Sequence, residues 1–299
     1  MKKIAVSLLF IFAMVIAAGA EGNKPLKIEG FDTPESVASD GTYFYVSNMG
    51  KVLNPTAKDN DGFISKLSKD GMIVERKFLP KKGNLNSPKG ILAVNGVLYA
   101  ADVDELAGFD LKKRKQVFKL SFKKEETKFL NALTKKDDNT LFLSSTDTNK
   151  IFEVNISGKP FYKLVIAGVK GANGLKYDAD SKKLYVVGWG ADNKPDGEVG
   201  VIDMSGTTPS YKTISPYKGF LDGIVLVDGG KKLIFSDWIK FEKAGVLKEC
   251  DIASGKVSDV PLSEPVGGPA DIYYDSAAEL LWIPMMMEGK VLIEKRFAK

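Results

Sequence analysis

Five residues far apart in the chain share one setting. Glu35, Lys89, Asn131, Asn173 and Asp222 are each followed by a small residue and then by an apolar run. Glu35, Asn173 and Asp222 together offer two carboxylates and an amide oxygen. The chain has no His and a single Cys, which excludes a His-based catalytic triad and an imidazole or thiolate metal site. Hard oxygen donors suit Ca²⁺ first, then Mg²⁺ or Mn²⁺. Two carboxylates in a narrow space repel unless something cationic stands between them. Lys89 supplies the other possibility: it neutralises Glu35 or Asp222, and the group is a polar plug holding ordered water. Residue types alone leave both open.

Residues so distant meet only if the chain repeats. NGLKYDADSKKLYVVGW (173–189) and DGIVLVDGGKKLIFSDW (222–238) are one phrase written twice: a polar residue, a Gly, an apolar run, a Lys-Lys turn, a second apolar run and a Trp. Glu35, Lys89, Asn131 and Ala270 open weaker copies that lead into YFYVSN, VLYAAD, TLFLSST and LLWIPM. The first residues recur at intervals of 54, 42, 42, 49 and 48. A period of about 40–50 residues holding several short strands marks a β-propeller blade. Turns such as Asp40-Gly41, Asp70-Gly71, Asn95-Gly96 and Asp196-Gly197 suit antiparallel hairpins.

The sequence therefore predicts an all-β, six-bladed β-propeller with four antiparallel strands per blade. The last repeat holds three strands where a blade needs four. Leu26–Ile28 is the spare strand, expected beside Val291–Lys295, and this closure would remove an exposed sheet edge. The innermost strand of each blade lines the central channel, so Glu35, Lys89, Asn131, Asn173, Asp222 and Ala270 should converge on one mouth. Antiparallel return brings Asn48, Asp102, Ser145, Trp189, Asp237 and Trp238 back to it. Asp102 is the natural partner for Lys89. Trp189 and Trp238 either wall a substrate pocket or pack between blades. Loops 50–61 and 189–197 should hang over the same mouth.

Composition adds limits. At 44% hydrophobic and 27% charged residues, the chain is ordinary for a globular protein. Residues 1–20 have a Lys2-Lys3 start, an apolar run from Ile4 to Ala17, and Ala18-Gly19-Ala20 before Glu21. That pattern reads as a secretory signal cut after Ala20, leaving 21–299 as a single domain that is periplasmic or secreted. The apolar run is short for a span of ~20 residues, and no later stretch qualifies as one. Cys250 has no partner for a disulfide and should be buried and inert. Without Lys2 and Lys3 the net charge falls to +3, too small to imply a nucleic-acid partner. The basic run 112–128 reads as an outer strand facing water, or as a patch for anionic surfaces. Met285, Met286 and Met287 read as core packing.

At its ring residues the sequence resembles the gluconolactonase (SMP-30) family of six-bladed propellers, with paraoxonase-like lactonases as more distant kin. The likeness is clearest over 171–240, in ANGLKYDADSKKLYVV and LDGIVLVDGGKKLIFSDW. It implies one divalent cation held by Glu35, Asn173 and Asp222, with Asn131 helping to bind substrate. The chain departs from the pattern at Phe129, where members acting on sugar lactones often carry Arg. Lys89 has no counterpart that the resemblance assigns. The expected function is an exported, divalent-metal-dependent hydrolase of a lactone or related ester. Asp222 would be the general base and Asn131, Lys89, Trp189 and Trp238 would line the substrate site. The alternative is a non-catalytic, NHL-like propeller that binds a ligand or a protein partner.

Overall fold

A computed structural model describes residues 24–296. The expected signal segment lies outside them. Six four-stranded antiparallel sheets form a ring, a six-bladed β-propeller with no α-helix among the described residues. Blades 1 to 5 each run outward through four consecutive strands. Their inner strands are Pro34–Ser39, Pro88–Val94, Leu130–Asp137, Ala172–Asp178 and Leu221–Val227.

Blade 6 closes the ring. Its outer strand is Leu26–Glu29, paired with Lys290–Lys295 in the register Leu26 to Ile293 and Ile28 to Val291. This is the pairing the sequence predicts. A mainly apolar seam holds blade 6 to blade 1, built from Ile28, Phe31, Val37, Val46, Val291 and Ile293 around Trp282. The Trp282 ring stacks on Phe44 with centroids 3.9 Å apart. Stacking of this kind adds to the area term.

Each inner strand of blades 1 to 5 contains the same irregularity. Pro34 pairs with Asn48 and Val37 with Val46, so Glu35 and Ser36 together oppose Ser47. The same two-against-one step falls at Lys89-Gly90, Asn131-Ala132, Asn173-Gly174 and Asp222-Gly223. A β-bulge bends its strand and re-aims a side chain. Here it turns the first residue of every pair to the hub.

The bulge removes a ladder hydrogen bond, and in three blades a serine restores it. The backbone N–H groups of Ser36, Ala132 and Gly223 donate to the Oγ of Ser47, Ser144 and Ser236 at 2.9, 2.9 and 2.8 Å. Ser144 and Ser236 donate onward to the carbonyls of Asn173 and Ala270 on the next blade. The second residue of each pair must be small because the next inner strand passes over it. A Cβ on Gly174 would stand 2.3 Å from the Asp222 carbonyl oxygen, and one on Gly90 would stand 2.5 Å from that of Asn131.

Blade 6 differs from expectation. Its inner strand begins at Tyr273, later than the Ala270 opening implied by the repeat. Asp271 is diverted to the inner strand of the adjacent blade 1: its N–H donates to the Glu35 carbonyl at 2.9 Å, and its carboxylate accepts from Ser36 Oγ at 2.6 Å. Cys250 is fully buried, and burial pushes its thiol up to about 11. The basic run includes the outer strand Lys115–Ser121 of blade 2, where Lys119 pairs with Glu105. Met285 is core, whereas Met286 faces the hub cavity and Met287 is exposed.

Trp282→Ala should lower unfolding stability by about 3–5 kcal/mol, the cost of a large core truncation. Val117→Ala, on the exposed outer strand, should change it by less than about 0.5 kcal/mol. Denaturant unfolding followed by fluorescence checks the pair.

Candidate functional site

The bulges gather the ring residues at one mouth. Glu35, Lys89, Asn131, Asn173 and Asp222 line a single cavity of about 220 Å³, and each is at most 4% exposed. Ala270, the sixth ring position, is buried and brings no side-chain donor.

Buried polar atoms normally find partners. Four side-chain oxygens here do not: Glu35 Oε2, Asn131 Oδ1, Asn173 Oδ1 and Asp222 Oδ1. They are the only buried side-chain oxygens without a hydrogen-bond partner among the described residues. Neighbouring groups fix which atoms are left over. Trp238 Nε1 donates to Asp222 Oδ2 at 2.9 Å, so Oδ1 remains. Asn131 Nδ2 donates to Thr146 Oγ1 at 3.1 Å, while that hydroxyl donates to the Ala172 carbonyl at 2.9 Å. The hydroxyl proton is thereby committed, so Thr146 must accept from the amide, and Asn131 turns its oxygen away.

Among the described residues no three His, Cys, Asp or Glu side chains come together as a metal-binding group. The donors are instead two carboxylates and two amides. Four oxygens with no proton to accept could hold a hard cation. They are poorly arranged for a purely hydrogen-bonded plug, because each is an acceptor that no donor among the described residues reaches.

The electrostatics follow from burial. Asp222 is pushed up to about 8, first by desolvation and then by the Asp271 charge, with Trp238 and Asn173 pulling the other way. Glu35 is raised well above the usual carboxylate range by desolvation, then by Asp222 and Asp271, with Lys89 opposing. Asp271 rises to about 6 through burial, moderated by Ser36 and Lys176. It lines a second cavity with the later residues of the inner strands, so its charge reaches the ring from behind.

Lys89 does not pair with Asp102. Asp102 accepts from the backbone N–H groups of Asn86 and Ser87 at 2.9 and 2.7 Å, which fixes the entry to its own blade. Lys89 Nζ donates to the carbonyls of Pro55 and Ser87, both at 2.8 Å, and stands 5.1 Å from the Phe129 ring centroid. Desolvation lowers its ammonium to about 8. Asn48, Ser145 and Asp237 likewise serve local corners, accepting from Asp32 N, Thr127 Oγ1 and Tyr217 Oη respectively or sharing a hydroxyl bond there.

Trp189 and Trp238 both line the cavity, and they also pack on each other with centroids 5.2 Å apart. Trp238 spends its N–H on Asp222, so it positions that carboxylate as well as forming wall. Loops 50–61 and 189–197 do reach the mouth, through Leu53, Pro55 and Asn193. The sequence reading missed Met49, Met286 and Phe241 as wall residues. Phe241 lies in the link after Trp238 and is surrounded by Trp189, Trp238 and Phe220. No periodicity marks it. The bulge serines were visible, as the Ser near the end of YFYVSN, TLFLSST and LIFSDW.

The fold is shared with solved structures. A gluconolactonase from Xanthomonas campestris superposes with TM-score 0.66 at 13% identity, over 91% of this chain and 88% of that one. A catalytically inactive virginiamycin B lyase from Staphylococcus aureus, with quinupristin, gives 0.58 at 17% identity over 90% and 98%. Kuenenia stuttgartiensis hydrazine synthase gives 0.59 at 14% identity over 86% and 75%. At these identities the likeness is one of fold. No family model matches the chain, and no curated protein matches it in sequence.

Without added cation, stability should depend on pH with a definite sign. Asp222, with a folded value near 8 against 3.8 for the free group, stabilises the fold when protonated. That contribution is complete below 3.8 and is lost as pH rises through about 8. Glu35 and Asp271 act in the same direction. Lys89 titrates between about 8 and 10.5, above most of that window. Melting temperature in chelator should therefore fall between about pH 5 and pH 8. Asp222→Asn should flatten the slope and raise the melting temperature at the upper end, measured by calorimetry.

Proposed function

We propose that the protein is an exported, divalent-cation-dependent hydrolase of a lactone or related ester, related in kind to the gluconolactonase (SMP-30) propellers. The observation that carries this reading is the set of four unpartnered buried oxygens, on Glu35, Asn131, Asn173 and Asp222, facing one walled cavity. Glu35, Asn173 and Asp222 would hold the cation, Ca²⁺ by the hardness of the donors, with Mg²⁺ or Mn²⁺ as substitutes. When bound, it supplies Lewis-acid polarisation of the ester carbonyl.

The chain's own groups do the rest. Asp222 keeps Oδ2 on the Trp238 indole, which fixes the plane of the carboxylate and leaves Oδ1 to the cavity. A carboxylate oxygen has two acceptor sites, so Oδ1 can serve the cation and still take a proton from an attacking water. Asn131, held by Thr146, orients the substrate. Trp189, Phe241, Met49 and Met286 exclude solvent, which strengthens every charge interaction inside. The alternative, a non-catalytic propeller, would suit an open and flat mouth. A concave, mainly apolar-walled cavity favours a small molecule. Among the described residues no helix is long and apolar enough to cross a membrane.

Metal analysis of the purified protein should return about one divalent ion per chain. Glu35→Gln should reduce that occupancy. Over a panel of lactones and esters, chelator should abolish turnover and Asp222→Ala should lower kcat by about 10²-fold or more, in the range of general-base removal. Equal, negligible turnover in wild type and Asp222→Ala would rule out the enzymatic reading.

A further inference from the structure

The reading above accounts for the oxygens of the hub but gives the Lys89 ammonium no part in the chemistry. Its side chain is 1% exposed, among the largest fully buried side chains in the protein. An ammonium has three N–H donors. Two are spent on the carbonyls of Ser87 and Pro55. Among the described residues no carboxylate lies within ion-pair distance of Nζ: Lys89 is absent from every salt bridge, whereas surface lysines such as Lys58 and Lys119 are paired at 2.6 Å. The charges that act on it belong to Asp102, Glu35 and Asp147, and Glu35 is given to the cation in the reading above. Asp102 is committed to the amides of Asn86 and Ser87. Asp147 is committed to the amide of Lys128 and the hydroxyl of Thr127. Burying a charge without a partner is expensive. The cost persists where something outside the protein completes the pair.

The rest of the cavity is of the opposite character. Beyond the oxygen ring the walls are aromatic or aliphatic, apart from Asn193, whose Oδ1 accepts from the Trp189 indole at 3.1 Å. Leu53 and Phe241 line the cavity while remaining 38% and 51% exposed, so the apolar lining continues from the hub out to solvent. A polyhydroxylated ligand would strand its hydroxyls against these walls, and each unmatched polar group costs free energy. An acidic head with an apolar body meets both requirements.

We propose that the substrate of this site is an apolar-bodied ester or lactone bearing one free acid group, with the acid paired to Lys89 Nζ and the body lying along Trp189 and Phe241 toward Leu53. This rests on the hydrolase reading for the reaction, and on Lys89 and the walls for the ligand class. Lys89 is a specificity-determining residue in this role, separate from the cation donors.

Three probes test it by binding alone: sodium octanoate, octan-1-ol and sodium gluconate. Each is titrated into the full chain, with Ca²⁺ and with chelator, and followed by quenching of tryptophan fluorescence. Octanoate should bind Ca²⁺-loaded protein at least about tenfold more tightly than octanol or gluconate, the scale of one hydrogen bond to a charged group. Lys89→Met should lose about tenfold for octanoate and keep octanol affinity, which also shows that the variant is folded. Phe241→Ala, on an exposed side chain, should weaken octanoate and octanol alike. Gluconate binding as tightly as octanoate, or octanol matching octanoate in wild type, would overturn the proposal without any variant. So would an unchanged octanoate affinity in Lys89→Met. If the protein binds Ca²⁺ yet shows none of the octanoate preference, the ligand class is wrong and the cation site stands. If octanoate binds in a Lys89-dependent way but no cation is taken up, the ligand class stands and the metal-dependent reading fails.

Discussion

One extra residue in each inner strand organises the molecule. A regular strand would alternate its side chains between the two faces of the blade, and the polar ring residues would be driven into the packing between blades. The bulge at Glu35-Ser36 and its four counterparts bends the strand so that the first residue turns to the axis. That geometry leaves backbone groups without ladder partners in a place water does not reach. Ser47, Ser144 and Ser236 fill the gap with their hydroxyls, and Ser144 and Ser236 pass a second bond to the neighbouring blade. The same contact therefore stabilises the bulge and, in blades 3 and 5, ties adjacent inner strands together.

Once the side chains are at the hub, their environment sets their chemistry. Two carboxylates and two amide oxygens share a small buried space, and each retains an acceptor with nothing to accept. Desolvation dominates the shifts of Glu35 and Asp222 upward, and Asp271 adds a third negative charge from the far side of the ring. The fold carries this strain because the seams between blades are large and apolar, as at Trp282 and Phe44. Such a balance is common where stability is given up for a poised site.

The mouth is shaped by segments that take no part in the repeat. The link carrying Phe241 and the loops carrying Leu53, Pro55 and Asn193 rise around the ring, and Lys89 ties one of them down through the Pro55 carbonyl. The ring and its walls thus answer to different constraints. The ring is fixed by blade geometry, whereas the walls vary in length and composition from blade to blade. Propellers of one architecture can serve different chemistries on that basis.

The sequence by itself determined the blade count, the closing strand and the identity of the ring. Those follow from local pattern: period, turn residues and a polar-then-small pair at the head of each phrase, all of which are encoded within a few neighbouring residues. It did not determine the partner of Lys89, because Asp102 is close in register yet is drawn to the amides of Asn86 and Ser87. Nor did it place Phe241 or Met286 in the wall, since neither lies at a repeating position. It overextended the inner strand of blade 6, where Asp271 leaves its own sheet to bond the Glu35 carbonyl and Ser36. Those features depend on contacts that no repeating pattern links, 15 positions apart for Ser87 and Asp102 and 235 for Ser36 and Asp271, and on which of several donors reaches a carboxylate first. Only the tertiary structure decides such competitions, because they are settled by distance in space and not by distance along the chain.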